Sequence, residues 1–278
     1  MERPRPGRYH RSPLSEPALE RVTSADGTSI AIWRSGEGPP LVALHGVTID
    51  HTAWDGVRPR LERARTLLAV DRRGHGASGE GGAEYSLAHE VAVLLAVVAL
   101  LDEPVDVVAH SYGGLVALEA ALTSDRIGRL IVYEPSIDDD PEFPGVVARA
   151  AELVRRGEDE QAAVTLLVER SGVPPGAVDA VRELPLWPIL LRGVQALPRE
   201  GAAVVGYRFD PSRFQRLATP TLVLVGEESP GWRREAMTRL QTTLPQAELR
   251  ILAGQGHLAT HTAPELLIAE IVSFLERQ

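Results

Sequence analysis

The stretch "VDVVAHSYGGLVALEAAL", residues 105–122, joins two segments of different periodicity. Its first residues form an apolar run typical of a buried strand, and residues 113–124 have the length and spacing of a helix. Ser111 lies at the junction, with the small residues Ala109 and Gly113 two positions away on either side. A sharp strand–turn–helix connection needs such small neighbours, and it exposes the serine hydroxyl in a strained conformation. We therefore interpret this segment as a nucleophile elbow rather than an ordinary glycine-rich turn.

The rest of the chain alternates between strand-like and helix-like segments. Strands are predicted over 29–34, 39–46, 64–71, 105–110, 127–135, 219–228 and 247–254, and helices over 86–101, 113–124 and 263–278. The strands are continuous apolar runs, which is typical of a parallel sheet buried on both faces. The pattern predicts an α/β fold with a mostly parallel, doubly wound sheet.

Residues 136–212 interrupt this alternation. Only helical pieces are predicted there, over 145–156, 158–171, 175–183 and 187–197, with glycine and proline between them. An insertion at the carboxyl ends of parallel strands lies over the place where such sheets bind ligands. We therefore predict a helical lid. The expected organisation is a disordered tail over 1–18, a core over 19–135 and 213–278, and the lid over 136–212.

Composition excludes several classes of function. The net charge of −9 argues against nucleic acid or an anionic membrane as the main partner. Cysteine is absent and all 29 basic residues are arginine, so disulfides, thiolate metal sites and a lysine Schiff base are excluded. Because the N-terminal residues are rich in arginine and proline and lack an apolar core, we do not expect a secretory signal, and the best apolar run, Val91–Leu101, has only 11 residues. We expect a cytoplasmic protein with a small-molecule substrate; the sequence does not indicate its oligomeric state.

Five stretches, in this order, together resemble the α/β-hydrolase superfamily. They are "LHGV" (44–47), "DRRGHGASG" (71–79), "AHSYGG" (109–114), "PTLVLVGEESP" (220–230) and "LAGQGHLA" (252–259). The second is similar to the family's Asp-x-Arg-Gly-x-Gly-x-Ser turn. The resemblance implies the serine-nucleophile branch with a helical lid, and an oxyanion hole made by the backbone N–H groups of Val47 and Tyr112.

No cofactor is expected. Gly74–Gly79 also matches the dinucleotide fingerprint Gly-x-Gly-x-x-Gly, but the residues that follow are a poor helix start and the predicted helix begins near Ser86. A metal site is not predicted either, because no His-x-x-x-His pattern with an intervening glutamate is present.

His257 is the predicted base. It lies in a glycine-flanked loop after the last strand, downstream of the serine, in the order serine, acid, histidine. An imidazole near neutrality can take the serine proton and return it to the leaving group. His261, four residues later, is its main rival.

Two residues are candidates for the carboxylate that orients the histidine. Many family members carry it after a strand ending in Gly-x-x-Asp, but here the aspartate position holds Ser229 and only the neighbouring Glu228 is acidic. Another subset, including haloalkane dehalogenases and some lactonases, places the acid after the preceding core strand, where this chain has Glu134. A carboxylate at the end of an apolar strand needs a partner such as an imidazole N–H. We rank Glu134 first and Glu228 second.

The nucleophile and the lid suggest a substrate class. A serine fits acyl transfer, whereas the related epoxide hydrolases and dehalogenases need aspartate to form an alkyl ester. The mostly apolar lid favours an ester or lactone of a small apolar molecule, with Trp54 and Trp187 as candidate substrate-binding residues. The alternatives are a C–C bond hydrolase, a thioesterase or a cofactor-free lyase in a biosynthetic pathway, and a non-catalytic binding member of the fold.

Overall fold

A computed structural model describes residues 16–82, 84–137 and 140–277. Its centre is an eight-stranded sheet of order β1-β2-β4-β3-β5-β6-β7-β8. The strands are β1 Ala18–Thr23, β2 Ser29–Ser35, β3 Pro40–Leu44, β4 Thr66–Val70, β5 Val105–His110, β6 Ile127–Tyr133, β7 Thr221–Gly226 and β8 Ala247–Leu252. The α-helices are α1 Arg58–Leu61, α2 Leu87–Ala99, α3 Tyr112–Ala121, α4 Phe143–Arg155, α5 Asp159–Thr165, α6 Val178–Arg182, α7 Trp187–Gly193, α8 Leu197–Gly206, α9 Pro211–Phe214, α10 Gly231–Thr243, α11 Ala259–Thr262 and α12 Pro264–Leu275.

The sheet is parallel from β4 to β8. Only the pairs β1–β2 and β2–β4 are antiparallel. All residues of β4 and β7 are buried, as the continuous apolar runs predict. The prediction of a mostly parallel, doubly wound α/β sheet is therefore confirmed.

Helices cover both faces of this sheet. In β3, Val42 and Leu44 belong to the core cluster that holds α2, α3 and α10, while Leu41 and Ala43 belong to the cluster that holds α1 and α12. Successive side chains of a strand point to opposite faces, so one apolar strand supplies both cores. The carboxyl ends of the central strands are thereby fixed between two packed layers.

Six helices, α4 to α9, lie between β6 and β7, and we call residues 143–214 the helical insertion. It has a small apolar cluster of its own, which includes Val146 and Leu197. The insertion also reaches the core directly, because Gly193 at the end of α7 forms a backbone bridge with Thr48. This contact places the insertion beside the loop that follows β3.

Several elements lie outside the predictions, among them β1, α8 and α10 and the short helices α1, α9 and α11. β1 begins at Ala18, inside the predicted tail; residues 1–15 of that tail lie outside the described residues. α8 contains Pro198, which we interpreted as a break, but this proline lies in the first helical turn, where its missing N–H costs nothing. α10 occupies a polar segment for which no helix is predicted.

Helix length bears on membrane association. The longest helices, α2, α4 and α10, have 13 residues each. At a rise of about 1.5 Å per residue they are much shorter than the apolar thickness of a bilayer. Within the described ranges, no helix is long and apolar enough to cross a membrane.

Candidate active site

Ser111 occupies the turn between β5 and α3. Its backbone has φ 54° and ψ −120°, and its side chain is 7% exposed. A Cβ atom built on Gly113 would lie 2.4 Å from the carbonyl oxygen of His45, so only glycine fits two positions after the serine. The turn therefore displays the hydroxyl at the N-terminus of α3, where developing negative charge is favoured.

Three non-glycine residues of the described chain have positive φ, and all three border this site. They are Thr48 at 60°, Ser111 at 54° and Glu134 at 46°. Each follows one of the central strands β3, β5 and β6. Such conformations cost about 1–3 kcal/mol each and persist only where the surroundings hold them. Backbone hydrogen bonds to the neighbouring strand hold two of them, from Ser111 N to Tyr133 O at 2.9 Å and from Glu134 N to Leu224 O at 3.0 Å, and Thr48 forms a backbone bridge with Gly193.

The Glu134 carboxylate is 1% exposed and fully surrounded by donors. Oε2 lies 2.5 Å from His257 Nδ1 and accepts from the Arg233 guanidinium at 3.2 Å. Oε1 accepts from the Gly226 N–H at 2.8 Å and from the Ser229 hydroxyl. Burial alone would raise the pKa of Glu134, but the bond from His257 and the charge of Arg233 outweigh it and lower the pKa to about 2. Glu134 is thus an oriented, ionised carboxylate.

His257 lies between β8 and α11 and is 8% exposed. Burial and the charge of Arg233 lower its pKa to about 4, against the opposing effect of Glu134. The ring is therefore neutral near pH 7. Because Nδ1 carries the proton donated to Glu134, Nε2 has a lone pair available for a proton.

The rival base, His261, lacks this support. Its Nε2 is buried without a hydrogen-bond partner, and burial lowers its pKa to about 4. Among the described residues, no carboxylate forms an ion pair with His261. The structure thus brings Glu134 to His257 and not to His261.

The two acid candidates are placed differently. Glu228 is exposed, and its backbone N–H donates to Gln255 O at 2.8 Å. Ser229, at the position where an aspartate is expected, is buried and donates to Glu134. The ends of β6 and β7 thus meet at one point, and in this chain the carboxylate arrives there from β6.

The candidate nucleophile, Ser111, and the candidate base, His257, line the same cavity. The Ser111 hydroxyl is 3.4 Å from the hydroxyl of Ser136, and among the hydrogen bonds of the described residues it has none to His257. Proton transfer to His257 would require the hydroxyl to turn away from Ser136. Unliganded enzymes commonly show such a long or misaligned contact.

The predicted oxyanion donors both lie next to Ser111. Tyr112 is the first residue of α3, so its N–H has no partner within the helix. The loop before Val47 touches the serine, since a Cβ on Gly46 would lie 3.0 Å from Ser111 Cβ. In the described part of the chain, neither amide donates to another residue.

The cavity is mostly apolar and is shared between the core loops and the insertion. Its lining includes Val47, Ile49, Phe143, Val147, Leu166, Leu167, Leu186, Leu190, Leu197 and Val204. Trp54 and Trp187 do not line it. Trp54 is 1% exposed in the core, and Trp187 packs against apolar clusters of the insertion and core. The expectation that these two residues bind substrate is therefore not supported by their placement.

One group of side chains has the composition of a metal site. Single ligand atoms of Asp50, His51 and Asp71 lie within 4.8 Å of one another. These atoms already serve the loops: Asp71 binds Trp33 Nε1 at 2.8 Å and His51 Nδ1 at 2.8 Å, and Asp50 caps the turn at Thr52. We assign them a structural role.

Arg233 and Ser136 were not singled out from the sequence. Arg233 lies in a polar segment, and nothing there distinguishes it from the arginines of a solvated helix face. Ser136 lies two residues after Glu134, and this closeness to the predicted acid is the only feature of the sequence that could have indicated a place in the site.

The comparisons with known proteins agree with this architecture. The family model described as "Alpha/beta hydrolase family" matches residues 41–270, and the chain belongs to this family. An α/β hydrolase from Sphaerobacter thermophilus is 32% identical, with a TM-score of 0.81 over 92% of this chain and 100% of that one. A thermophilic esterase from Thermogutta terrifontis is 25% identical, with a TM-score of 0.77 over 93% and 98% of the two chains. A 2-(acetamidomethylene)succinate hydrolase from Mesorhizobium japonicum is 23% identical over 94% of this chain and 97% of its own length.

Proposed function

We propose that this hydrolase cleaves an ester or lactone of a small, largely apolar molecule through a Ser111–His257–Glu134 triad. The observation that carries the proposal is the 2.5 Å contact between Glu134 and His257 at the wall of the cavity that also holds Ser111. The cytoplasm is the compartment that we propose for it.

Each group has one chemical task. His257 Nε2 takes the proton of the Ser111 hydroxyl while Oγ attacks the substrate carbonyl carbon. The carbonyl oxygen becomes an oxyanion that accepts from the N–H groups of Val47 and Tyr112. The imidazolium then gives its proton to the leaving alkoxide, which leaves an acyl-enzyme. Water, deprotonated by His257, releases the acid and restores the serine.

Glu134 keeps His257 in the required tautomer and stabilises its cation. Four donors hold the carboxylate, so it does not have to reorganise when the imidazole becomes charged. Breaking this contact is expected to affect turnover more than substrate binding.

The cavity supports the substrate class. Its apolar lining suits a hydrocarbon or aromatic acyl group, and an extended charged polymer would not fit an enclosed apolar site. The likeness to an esterase points the same way. Cleavage of a C–C bond, hydrolysis of a thioester or lyase chemistry would use the same residues, and product analysis separates these reactions.

The first test is hydrolysis of p-nitrophenyl esters of increasing acyl length. Ser111→Ala should lower kcat by about 10⁴-fold or more, because the nucleophile is lost. Ser212→Ala, an exposed serine outside the cavity, is the matched control and should keep wild-type activity. Equal turnover by wild type and Ser111→Ala, or failure of a fluorophosphonate to label Ser111, would overturn the proposal.

A further inference from the structure

Arg72 is a fully buried arginine that binds the loop in front of Val47. Its Nε donates to the carbonyl oxygen of His45 at 2.9 Å and its Nη2 to that of Gly46 at 2.8 Å. Its own backbone N–H donates to His45 Nε2 at 2.9 Å. His45 therefore carries its proton on Nδ1, which lies 2.8 Å from the same Gly46 oxygen.

The Gly46 carbonyl belongs to the same peptide group as the Val47 N–H. Two donors on that oxygen, one of them positively charged, pull electron density away from the nitrogen and make the N–H a stronger donor. They also fix the plane of the peptide, and hence the direction of the N–H. The Arg72 guanidinium lies 4.9 Å from the ring centroid of Tyr112, so it contacts the other oxyanion donor residue as well.

The partner of Arg72 comes from the insertion. Glu200 on α8 is fully buried and binds Arg72 through both oxygens, at 3.0 and 3.1 Å. It also binds His75 Nε2 at 2.7 Å. Burial raises the pKa of Glu200, but the charge of Arg72 and the hydrogen bonds of Arg72 and His75 outweigh it and bring the pKa to about 2. Glu90 also lies near Arg72, at 3.3 Å, but burial raises its pKa. Arg72 thus pairs with Glu200 through both carboxylate oxygens, whereas its contact with Glu90 is single and longer.

Neither partner of Glu200 is a residue that the motif itself requires. In the turn that resembles Asp-x-Arg-Gly-x-Gly-x-Ser, over residues 71–78, Arg72 and His75 occupy variable positions. The motif's arginine is Arg73, which pairs with Asp26 instead. The link between α8 and the Val47 loop is therefore not a consequence of the motif alone.

We infer that Arg72 is a positioning residue for the oxyanion hole and that Glu200 ties it to the helical insertion. The insertion then does more than cover the cavity, because its docking sets the orientation and strength of the Val47 donor. This inference rests on the proposed function of Val47.

The kinetic test separates positioning from structural support. Arg72→Met removes the donors to the loop but leaves Glu200 buried without its cation, so the melting temperature should fall. In Arg72→Met/Glu200→Gln the buried charge is gone and the melting temperature should recover. Turnover should not recover: kcat should stay about 10- to 100-fold below wild type with KM within about twofold, because only the transition-state contact is weakened.

Arg73→Met is the matched control. It removes a buried arginine that pairs with Asp26 and does not touch the loop, so it should lower the melting temperature and leave kcat unchanged. If kcat recovers with stability in the double variant, or if Arg73→Met loses as much turnover, the positioning role is wrong.

A second measurement does not depend on turnover. Protein labelled with ¹³C in glycine carbonyls and ¹⁵N in valine gives one carbonyl–amide peak for each Gly–Val junction. The junctions are Gly46–Val47, Gly56–Val57, Gly145–Val146, Gly172–Val173 and Gly193–Val194. In the double variant, the Gly46–Val47 peak should move upfield in both the carbonyl carbon and the amide proton, with smaller changes in the others. An unmoved peak overturns the inference, whereas failure of the proposed function shows itself as a wild type that hydrolyses no ester.

Discussion

Two buried clusters of this molecule each contain an arginine, a glutamate and a histidine in contact, and the second also has Glu90 3.3 Å from its arginine. They are Arg233–Glu134–His257 and Arg72–Glu200–His75. In each, the glutamate is at most 1% exposed and lies within 3.2 Å of the arginine and 2.7 Å of the histidine. Residue type and distance alone would assign both clusters the same role.

The clusters differ in which of their side chains is open to the cavity. His257 binds its glutamate through Nδ1 and presents Nε2 at the cavity. His75 binds through Nε2 and does not line the cavity, while Arg72 turns towards two backbone carbonyls. The comparison teaches that an Arg–Glu–His set becomes a candidate proton-transfer site only where the imidazole edge is open to a nucleophile. Where the imidazole is enclosed, the same three residues only hold neighbouring backbone in place.

The largest expected effect separates the two histidines. His257→Gln should lower kcat by about 10⁴-fold or more, because it removes the proposed acceptor of the Ser111 proton. His75→Gln, which can still donate to Glu200, should cost less than about tenfold. Ester hydrolysis by the two variants measures the contrast. Comparable losses in both would mean that the two clusters do not have separate roles.

The next effect concerns the acid. Glu134→Gln should lower kcat by about 10³- to 10⁴-fold, because an amide cannot hold the required tautomer as well as a carboxylate. Since Ser229 already touches the Glu134 carboxylate, Glu134→Gln/Ser229→Asp should regain at least about tenfold of that loss. Glu228→Asp in the Glu134→Gln background is the control and should regain nothing, because residue 228 is exposed. Equal recovery of kcat by both double variants would show that our assignment of the acid to the Glu134 position is wrong.

A smaller effect is expected on the pH profile. The charged groups that act on His257 are Glu134, Arg233 and Arg170, and His110 lies against its ring. Arg233→Met removes a cation, so the pKa of His257 should rise from about 4. Only neutral His257 can act as a base, so the acidic limb of kcat/KM should move to higher pH, by about one unit. A limb that stays in place would show that Arg233 does not influence the base.

The smallest effect is on stability. His261 has a folded pKa of about 4, below the usual 6.5 of an exposed histidine, so between these values the unfolded chain binds a proton that the folded one does not. His261 therefore destabilises the fold progressively as the pH falls from 6.5 to 4, by up to about 1 kcal/mol per pH unit. His261→Gln should flatten the fall in unfolding free energy between pH 6.5 and 4.5, measured by urea denaturation. An unchanged slope would contradict this assignment.

Two of the helices that sequence reasoning missed, α8 and α10, share a feature that weakens their apolar pattern, since each has a charged residue among its buried positions. On α10 the buried positions are Arg233, Ala236, Met237 and Leu240, and on α8 they are Leu197, Glu200, Gly201 and Val204. Both sets have helical spacing, but in each a charged residue replaces an apolar one. Hydrophobic periodicity is weakest where a helix carries a buried charge. The same residues, Arg233 and Glu200, are the ones that form the two clusters.

The parts that could be predicted depend on local chemistry. The elbow around Ser111 needs small neighbours and a strand before it, both visible in one stretch. Glu134 could be proposed because a carboxylate at the end of an apolar strand requires a partner. The side chains of Trp54 and Trp187 could not be placed, because apolar aromatics at a lid boundary fit a core and a cavity equally well. Only the packing of the insertion decides between them.

The meeting of Ser229 with Glu134 has a consequence for how such enzymes change over generations. Side chains that follow β6 and β7 meet at the same place, beside His257. A catalytic carboxylate could therefore come from either position in the sequence and still occupy the same place in the structure. A chain with both acids would force two carboxylates to share that point, and one would hold a proton. A small neutral hydroxyl at one end avoids this conflict. Ser229 therefore leaves the position after β7 able to take a carboxylate if the one after β6 is lost.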